Sequence, residues 1–262
     1  AYTYSLSFTV EQGIYSQPFW LELSNKDPDA VIRFTTNGSD PMASSQMYND
    51  PIWIEDRTSE HNSISTIPTN PQGTYGNLGW LPPSSLVFKG FVLKAQTFKN
   101  DLPVSEVSTK TYFVHPDLSI KYDDLPIISL VTDSLHLFDY ELGIYVPGLF
   151  HDEDTIFDEY FGVGNYNLKG MDWERPVNVT LFESDGTIGF SQNLGLRIHG
   201  GGTRQMPLKA LRLYARDLYG NDEIDYRFFP WKNTDTFKRI LLRSGGNAFR
   251  TAIITDAVSA CL

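Results

Sequence analysis

The sequence has a single cysteine, Cys261, in 262 residues. It cannot form an intrachain disulfide, and it cannot found a zinc site built on several cysteines. So few thiols suit a reducing compartment and an extracytoplasmic one alike. Basic residues are also scarce. Lys and Arg number 21 against 32 Asp and Glu, a formal net charge of -11. Phosphate backbones need a basic field, so nucleic acid is excluded as a general partner. No apolar run approaches the ~20 residues that a membrane span requires. The five histidines are scattered and none pairs with a serine, so hydrolase chemistry has little support. Ala1 stands where an initiator Met or a leader would, and predicts a processed or engineered start.

Aromatic residues are plentiful, at 14% of the chain, and apolar residues make up 41%. That supply suits β-rich cores, and the length suits two domains. Residues 1–114 read as short strands separated by turn chemistry. Gly13 to Leu23 carries Tyr15, Phe19, Leu21 and Leu23, apolar at odd positions from Phe19 on, and Val31 to Thr36 is a further strand. Asn37-Gly38-Ser39-Asp40-Pro41 is a strong turn, because Asn-Gly tolerates positive φ and Asp-Pro stops a strand. Pro51 to Ile54, Phe88 to Phe98 and Val107 to Val114 complete the set. Residues 57–85 are rich in Ser, Thr, Pro, Asn and Gly and read as a long loop or insertion. The spacing predicts an antiparallel sandwich. Trp20, Trp53 and Trp80 either stack on sugar rings or serve as packing.

Residues 115–124 read as a linker. Leu125 to Val131 is an apolar run of the kind buried on both faces of a sheet. Residues 135–146 suggest a turn and a short strand. Residues 151–172 are acidic and rich in Gly and Asn, but too loosely spaced for a calcium loop, and read as a solvated segment. Val177 to Phe182 and Ile188 to Phe190 are strands joined by an Asp-Gly hairpin turn. Phe237 to Leu242 is another strand. From Ala248 to Leu262 the pattern becomes helical, with Phe249, Ile253, Ala257 and Ala260 on one face and Asp256 among them.

One stretch, Leu194 to Arg216, organises this half. Leu196 and Ile198 alternate with Arg197 and His199, and Leu211 and Leu213 alternate with Arg212 and Tyr214. Gly200, Gly201 and Gly202 lie between, followed by Thr203. Lys209 has the parity of Leu211 and Leu213, which places it on the apolar side of the sheet. A lysine there needs a partner. Asp256, on the buried stripe of the helix, needs one too. A glycine loop followed by an inward lysine suits a phosphate site. It also suits a plain tight hairpin with a lysine at the frayed start of its second strand. The spacing matches neither the Walker nor the GxGxxG pattern.

Two resemblances emerge. Gly13-Ile14-Tyr15, Phe19 to Leu23, Ile32 to Pro41, Tyr48, Pro51-Ile52, Leu93-Lys94-Ala95 and Ser105 to Tyr112 resemble the Ig-like domain called chitobiase/β-hexosaminidase C-terminal. The resemblance spans residues 7–114, with 57–85 as an insertion, and implies an accessory module without catalysis. Leu125 to Val131, Leu137-Phe138, Gly143 to Val146, Asn165-Tyr166, Trp173 to Val177 and Leu196 to Tyr214 resemble the CotH (spore coat protein H) family of atypical kinases over residues 125–262.

Together they imply a mainly β chain: an Ig-like antiparallel β-sandwich (1–114), a linker (115–124) and the N-terminal part of an α+β kinase-like domain (125–262), truncated. The CotH resemblance implies a nucleotide site at Gly200, Gly201, Gly202, Thr203, Lys209 and Asp256, with Asp256 orienting the lysine. It implies ATP and Mg²⁺ as cofactors of the complete domain, none bound tightly here. No catalytic or metal-binding acid is found in residues 1–262, so this piece is expected to be inactive alone. The implied setting is the bacterial cell surface or secretion, with surface proteins as substrates. The alternative is a non-catalytic module that binds glycan or protein.

Overall fold

The computed structural model describes residues 5–71, 79–118, 125–153 and 163–245. The helix expected over 248–262, with Asp256, lies outside the described residues. The chain is mainly β and contains several sheets. It divides into two compact units. Unit 1 comprises Ala1–Asn62, Ser85–Asp133 and Asn178–Ser191. Unit 2 comprises Ser63–Ser84, Ser134–Val177 and Gln192–Leu262.

The first strands of unit 1 are β1 (Ser7–Phe8), β2 (Gly13–Tyr15), β3 (Phe19–Leu21) and β4 (Leu23–Ser24). Then come β5 (Val31–Thr35), β6 (Gln46–Met47), β7 (Ile52–Ile54) and β8 (Phe91–Lys99). β9 (Leu102–Pro103), β10 (Ser108–Val114) and β11 (Ile127–Val131) follow. One sheet has the order β2-β10-β8-β5-β6, with β9 on β8; β3-β7 and β1-β4 form two small sheets. Ile32 and Phe34 of β5, Leu93 and Ala95 of β8, and Tyr112 and Val114 of β10 project from the large sheet. They meet Leu21, Leu23 and Ile54 from the small sheets, and this contact is the core. It is a two-layer sandwich. The expected all-antiparallel pairing needs one correction: β2 runs parallel to β10, with Tyr112 opposite Gly13. The two strands are far apart in sequence, so no tight hairpin imposes their direction.

The Asn37-Gly38 turn is built as its chemistry requires. The Ser39 N–H donates to Asn37 Oδ1 at 3.1 Å, and Gly38 has φ +87°. A Cβ on Gly38 would strike the Thr132 carbonyl. Residues after the expected linker also group with unit 1. β11 pairs antiparallel with the second half of β12 (Arg175–Phe182), Ile127 facing Phe182. The Ser129 and Thr111 hydroxyls lie 2.9 Å apart, and the Phe182 ring meets Phe113 edge to face.

β12 and β13 (Ile188–His199) each have residues in both units. β13 is one long strand, where a short strand at 188–190 and a separate run from Leu194 are expected. Unit 2 also holds β14 (Ala210–Tyr214), β15 (Ile224–Asp225), β16 (Thr236–Phe237) and β17 (Arg239–Leu242). Leu196 pairs with Leu213 and Ile198 with Leu211, and Leu213 continues to Ile240. Leu194, Leu196, Ile198 and Leu213 are buried on that face. The expected strand within 135–146 is instead a short helix, Ser134–Phe138. A second short helix spans Gly148–Glu153.

Candidate functional site

Two features of unit 2 gather charged groups on the opposite faces of β13 and β14. On the apolar face lies the glycine loop with Lys209. Of the three glycines, Gly200 alone has positive φ, +119°. A side chain there would collide with Thr203 Oγ1. Gly201 has open space where a Cβ would stand, and Gly202 begins a short 3₁₀ turn, Gly202–Gln205. Arg204 fixes the loop from within. Its guanidinium donates to the carbonyls of Gly200 and Ile198, both at 2.7 Å, and of Tyr166 and Leu168 at 2.7 and 3.3 Å. Burial lowers its pKa from the ordinary value.

Lys209 is 3% exposed. Its ammonium donates to the Met206 carbonyl at 2.8 Å. It stands 3.9 Å from the Tyr166 ring centroid and 5.4 Å from that of Tyr145. Its backbone N–H donates to the Tyr145 hydroxyl at 2.9 Å. No carboxylate among the described residues pairs with it. Burial therefore drives its pKa well below the usual lysine value. The Lys209 contacts are thus with Met206, Tyr145 and Tyr166, and among the described residues no hydrogen bond joins its side chain to Gly200, Gly201, Gly202 or Thr203. The expected partner, Asp256, lies outside the described residues.

Tyr166 owes its position to Asn165. The Asn165 amide donates to the carbonyls of Tyr140 and Gly143 at 3.0 and 3.1 Å and accepts from the Phe150 N–H at 3.0 Å. A buried amide so used locks the turn that presents the tyrosine.

On the other face stands Glu174, whose side chain is wholly buried. Arg197 Nε reaches Oε2 at 2.6 Å, and Arg216 reaches Oε1 and Oε2 at 2.7 and 3.1 Å. The Tyr219 hydroxyl donates to Oε1 at 3.1 Å. Burial pushes the Glu174 carboxyl up, but the hydrogen bonds and charges of Arg216 and Arg197 outweigh it and hold the pKa below the usual range. Gly195 makes room for this carboxylate: a Cβ there would strike Oε1. Sequence reasoning quotes Glu174 as part of a motif but misses this role and that of Arg204. The partners lie up to 45 residues away, and Arg204 binds only backbone.

In unit 1, Trp20 and Trp53 face each other across β3 and β7, with 60% and 38% exposure. Their ring centroids are 4.8 Å apart at 50°, and the Trp53 indole N–H donates to Glu55 at 3.0 Å. Trp80 belongs to unit 2 and is half-buried; its backbone N–H donates to Asn70 Oδ1 at 2.8 Å. Among the described residues no three His, Cys, Asp or Glu gather as a metal site would, and no helix is long and apolar enough to cross a membrane.

These features define a mainly β protein with an Ig-like sandwich. A family model described as Fn3 associated matches residues 21–112, which include most of that sandwich's strands and stop short of unit 2's glycine loop. Neither the curated proteins nor the solved structures compared with the chain give a match.

Proposed function

We propose that this chain is part of an extracytoplasmic, CotH-type kinase-like protein, and that its glycine loop binds the phosphates of ATP. One observation carries the reading: the lysine that follows the glycine loop in sequence is buried without a carboxylate partner among the described residues. An ammonium has three donors, and Lys209 commits one of them to a carbonyl. A phosphate oxygen would supply the missing negative charge. The residues assigned to the nucleotide are Gly200, Gly201, Gly202, Thr203 and Lys209. Asp256 is left out of the assignment. Bound ATP supplies the phosphoryl group; this chain's own residues supply the cradle and the cation. No residue here is assigned to Mg²⁺ or to the phosphoryl-transfer step, so the chain alone is expected to transfer no label from radioactive ATP. Surface proteins are the proposed substrates of the whole protein.

The test is titration with a fluorescent ATP analogue, with unlabelled ATP as competitor. Saturable binding that Lys209→Met abolishes, with circular dichroism unchanged, supports the site. Equal binding by both proteins overturns it.

A second reading rests on the Trp20–Trp53 pair, which leaves two indoles open to solvent on the sandwich. Such a surface suits the apolar face of a sugar ring, and Glu55 can accept from hydroxyls beside it. Quenching of tryptophan fluorescence by oligosaccharides, lost in Trp20→Ala, would favour a glycan-binding module.

A further inference from the structure

The arginine-rich face of β13 and β14 has a surplus of positive charge that no carboxylate among the described residues neutralises. The register places Arg197 directly opposite Arg212. Like charges in directly opposed positions destabilise a sheet unless something lies between them. Arg197 is answered by Glu174, which also holds Arg216 and accepts from Tyr219. Four hydrogen bonds fill that carboxylate, and none goes to Arg212. Arg212 makes no ion pair among the described residues. Among the described residues its side chain makes one hydrogen bond, with His199, Nη2 to Nε2 at 3.3 Å. The imidazole must therefore be neutral, accept at Nε2 and carry its proton at Nδ1. A guanidinium has five N–H donors, so Arg212 retains several.

We infer that this face seats a tetrahedral oxyanion, phosphate or sulfate, between Arg212 and His199. A planar guanidinium pairs well with such a group through two parallel hydrogen bonds. When the anion binds, the imidazole can take a proton and become a further donor. The groups acting on His199 keep the ring neutral until the charge of an anion offsets them. Burial first, then Arg212, Arg204 and Arg243, lower its pKa, and no carboxylate counters them. Arg204 spends its donors on backbone carbonyls, and Arg243 is exposed near the end of β17. In a chain of net charge -11, the field around this imidazole is cationic. The seat lies on the face opposite Lys209 and does not depend on the nucleotide reading.

The test follows the His199 ring by nitrogen-15 NMR through pH titrations in potassium phosphate, potassium sulfate and potassium chloride at matched ionic strength. Sulfate keeps its charge over the range, so it separates binding from phosphate's own ionisation. Both oxyanions should raise the His199 pKa by about one unit in a saturable manner, and chloride should not. Arg212→Gln should abolish the saturable rise. Should that variant unfold, Arg212→Lys, which keeps the charge and loses the planar fork, should show a weakened rise. Glycerol phosphate distinguishes sources: a rise as large as with phosphate marks a terminal phosphoryl group on a larger molecule, and none marks the free ion. Lys209→Met should leave every response intact while removing nucleotide binding, so failure of either proposal can be seen apart from the other. The inference is overturned if phosphate and sulfate act no differently from chloride. It is also overturned if their effect survives undiminished in the Arg212 variants.

Discussion

Replacing Lys209 with methionine tests how the buried ammonium is tolerated. The substitution removes a charged hydrogen bond to the Met206 carbonyl, worth roughly 1.5–3 kcal/mol. It also removes the contact with the Tyr166 ring at 3.9 Å, worth up to about 2 kcal/mol when desolvated. Against these stands the desolvation of an ammonium that is 3% exposed and has no described carboxylate, which costs several kcal/mol. Methionine is close in length, and its sulfur recovers roughly 0.3–1.5 kcal/mol against the tyrosine rings. The terms nearly cancel, so Lys209→Met should lie within about 1 kcal/mol of wild type at pH 7. The pH dependence is the sharper reading. The folded pKa is depressed and the unfolded one is ordinary, so between the two the unfolded chain binds more protons. Wild-type stability at this site therefore rises with pH toward the ordinary lysine value and is lost as pH falls through the folded one. Inside that window each pH unit is worth about 1.4 kcal/mol. Urea unfolding followed by tryptophan fluorescence at pH 7 and pH 10 should show the variant losing ground to wild type at pH 10. A loss of ~3–5 kcal/mol at pH 7 is what breaking a buried ion pair costs. That result, or a difference independent of pH, would refute the unpaired lysine and restore Asp256 as its partner.

Glu174→Gln should cost ~3–5 kcal/mol by urea unfolding, because two partly buried arginines lose their shared carboxylate. The Glu174 pKa is depressed, so the wild type should lose this stability as pH falls below the ordinary carboxylate range and the glutamine variant should not. Gly195→Ala should lower the thermal midpoint with no change of charge, since the new methyl group displaces the same carboxylate. Asn165→Ala should cost about 2–4 kcal/mol and weaken binding of the ATP analogue, because it frees the turn that carries Tyr166.

Strand parity made much of this fold legible. Leu196 and Ile198 against Leu211 and Leu213 announce two half-buried strands, and the structure pairs them as alternation predicts. Asn37-Gly38 and Asp185-Gly186 mark turns because their backbones need conformations that few residues adopt; Gly186 has φ +83°. Short or long-range features were not legible. Ser134–Phe138 has only five residues, too few to display a helical period. Ser191, Gln192 and Asn193 look like a break between strands, yet β13 runs through them, because two of the three are exposed and need not be apolar. The parallel pairing of β2 with β10 joins segments about a hundred residues apart, and no local signal encodes that. At the site, the inward direction of Lys209 was readable from its neighbours. The carbonyl cage around Arg204 was not, since every group it binds is backbone.

The alternation that made β14 readable also separates two kinds of cation. From Lys209 to Arg216, odd positions face the apolar side and even positions the other. A lysine on the apolar side loses hydration and, among the described residues, finds only a carbonyl and two rings, so its charge is held weakly and its pKa falls. Arginines on the opposite side remain partly hydrated and keep their charge whatever the pH. Arg216 is therefore suited to the permanent pairing with Glu174, and a lysine in its place would lose the two-point contact. Lys209 is suited to a charge that appears when an anion arrives. If nucleotide binds there, the amine must take up a proton on binding, because the complex favours the ammonium and the free protein disfavours it. Calorimetry in buffers of different ionisation enthalpy should then show net proton uptake above the free lysine's pKa. Lys209→Arg should show none, since a guanidinium is already charged. Uptake that persisted in the arginine variant would place the titrating group elsewhere.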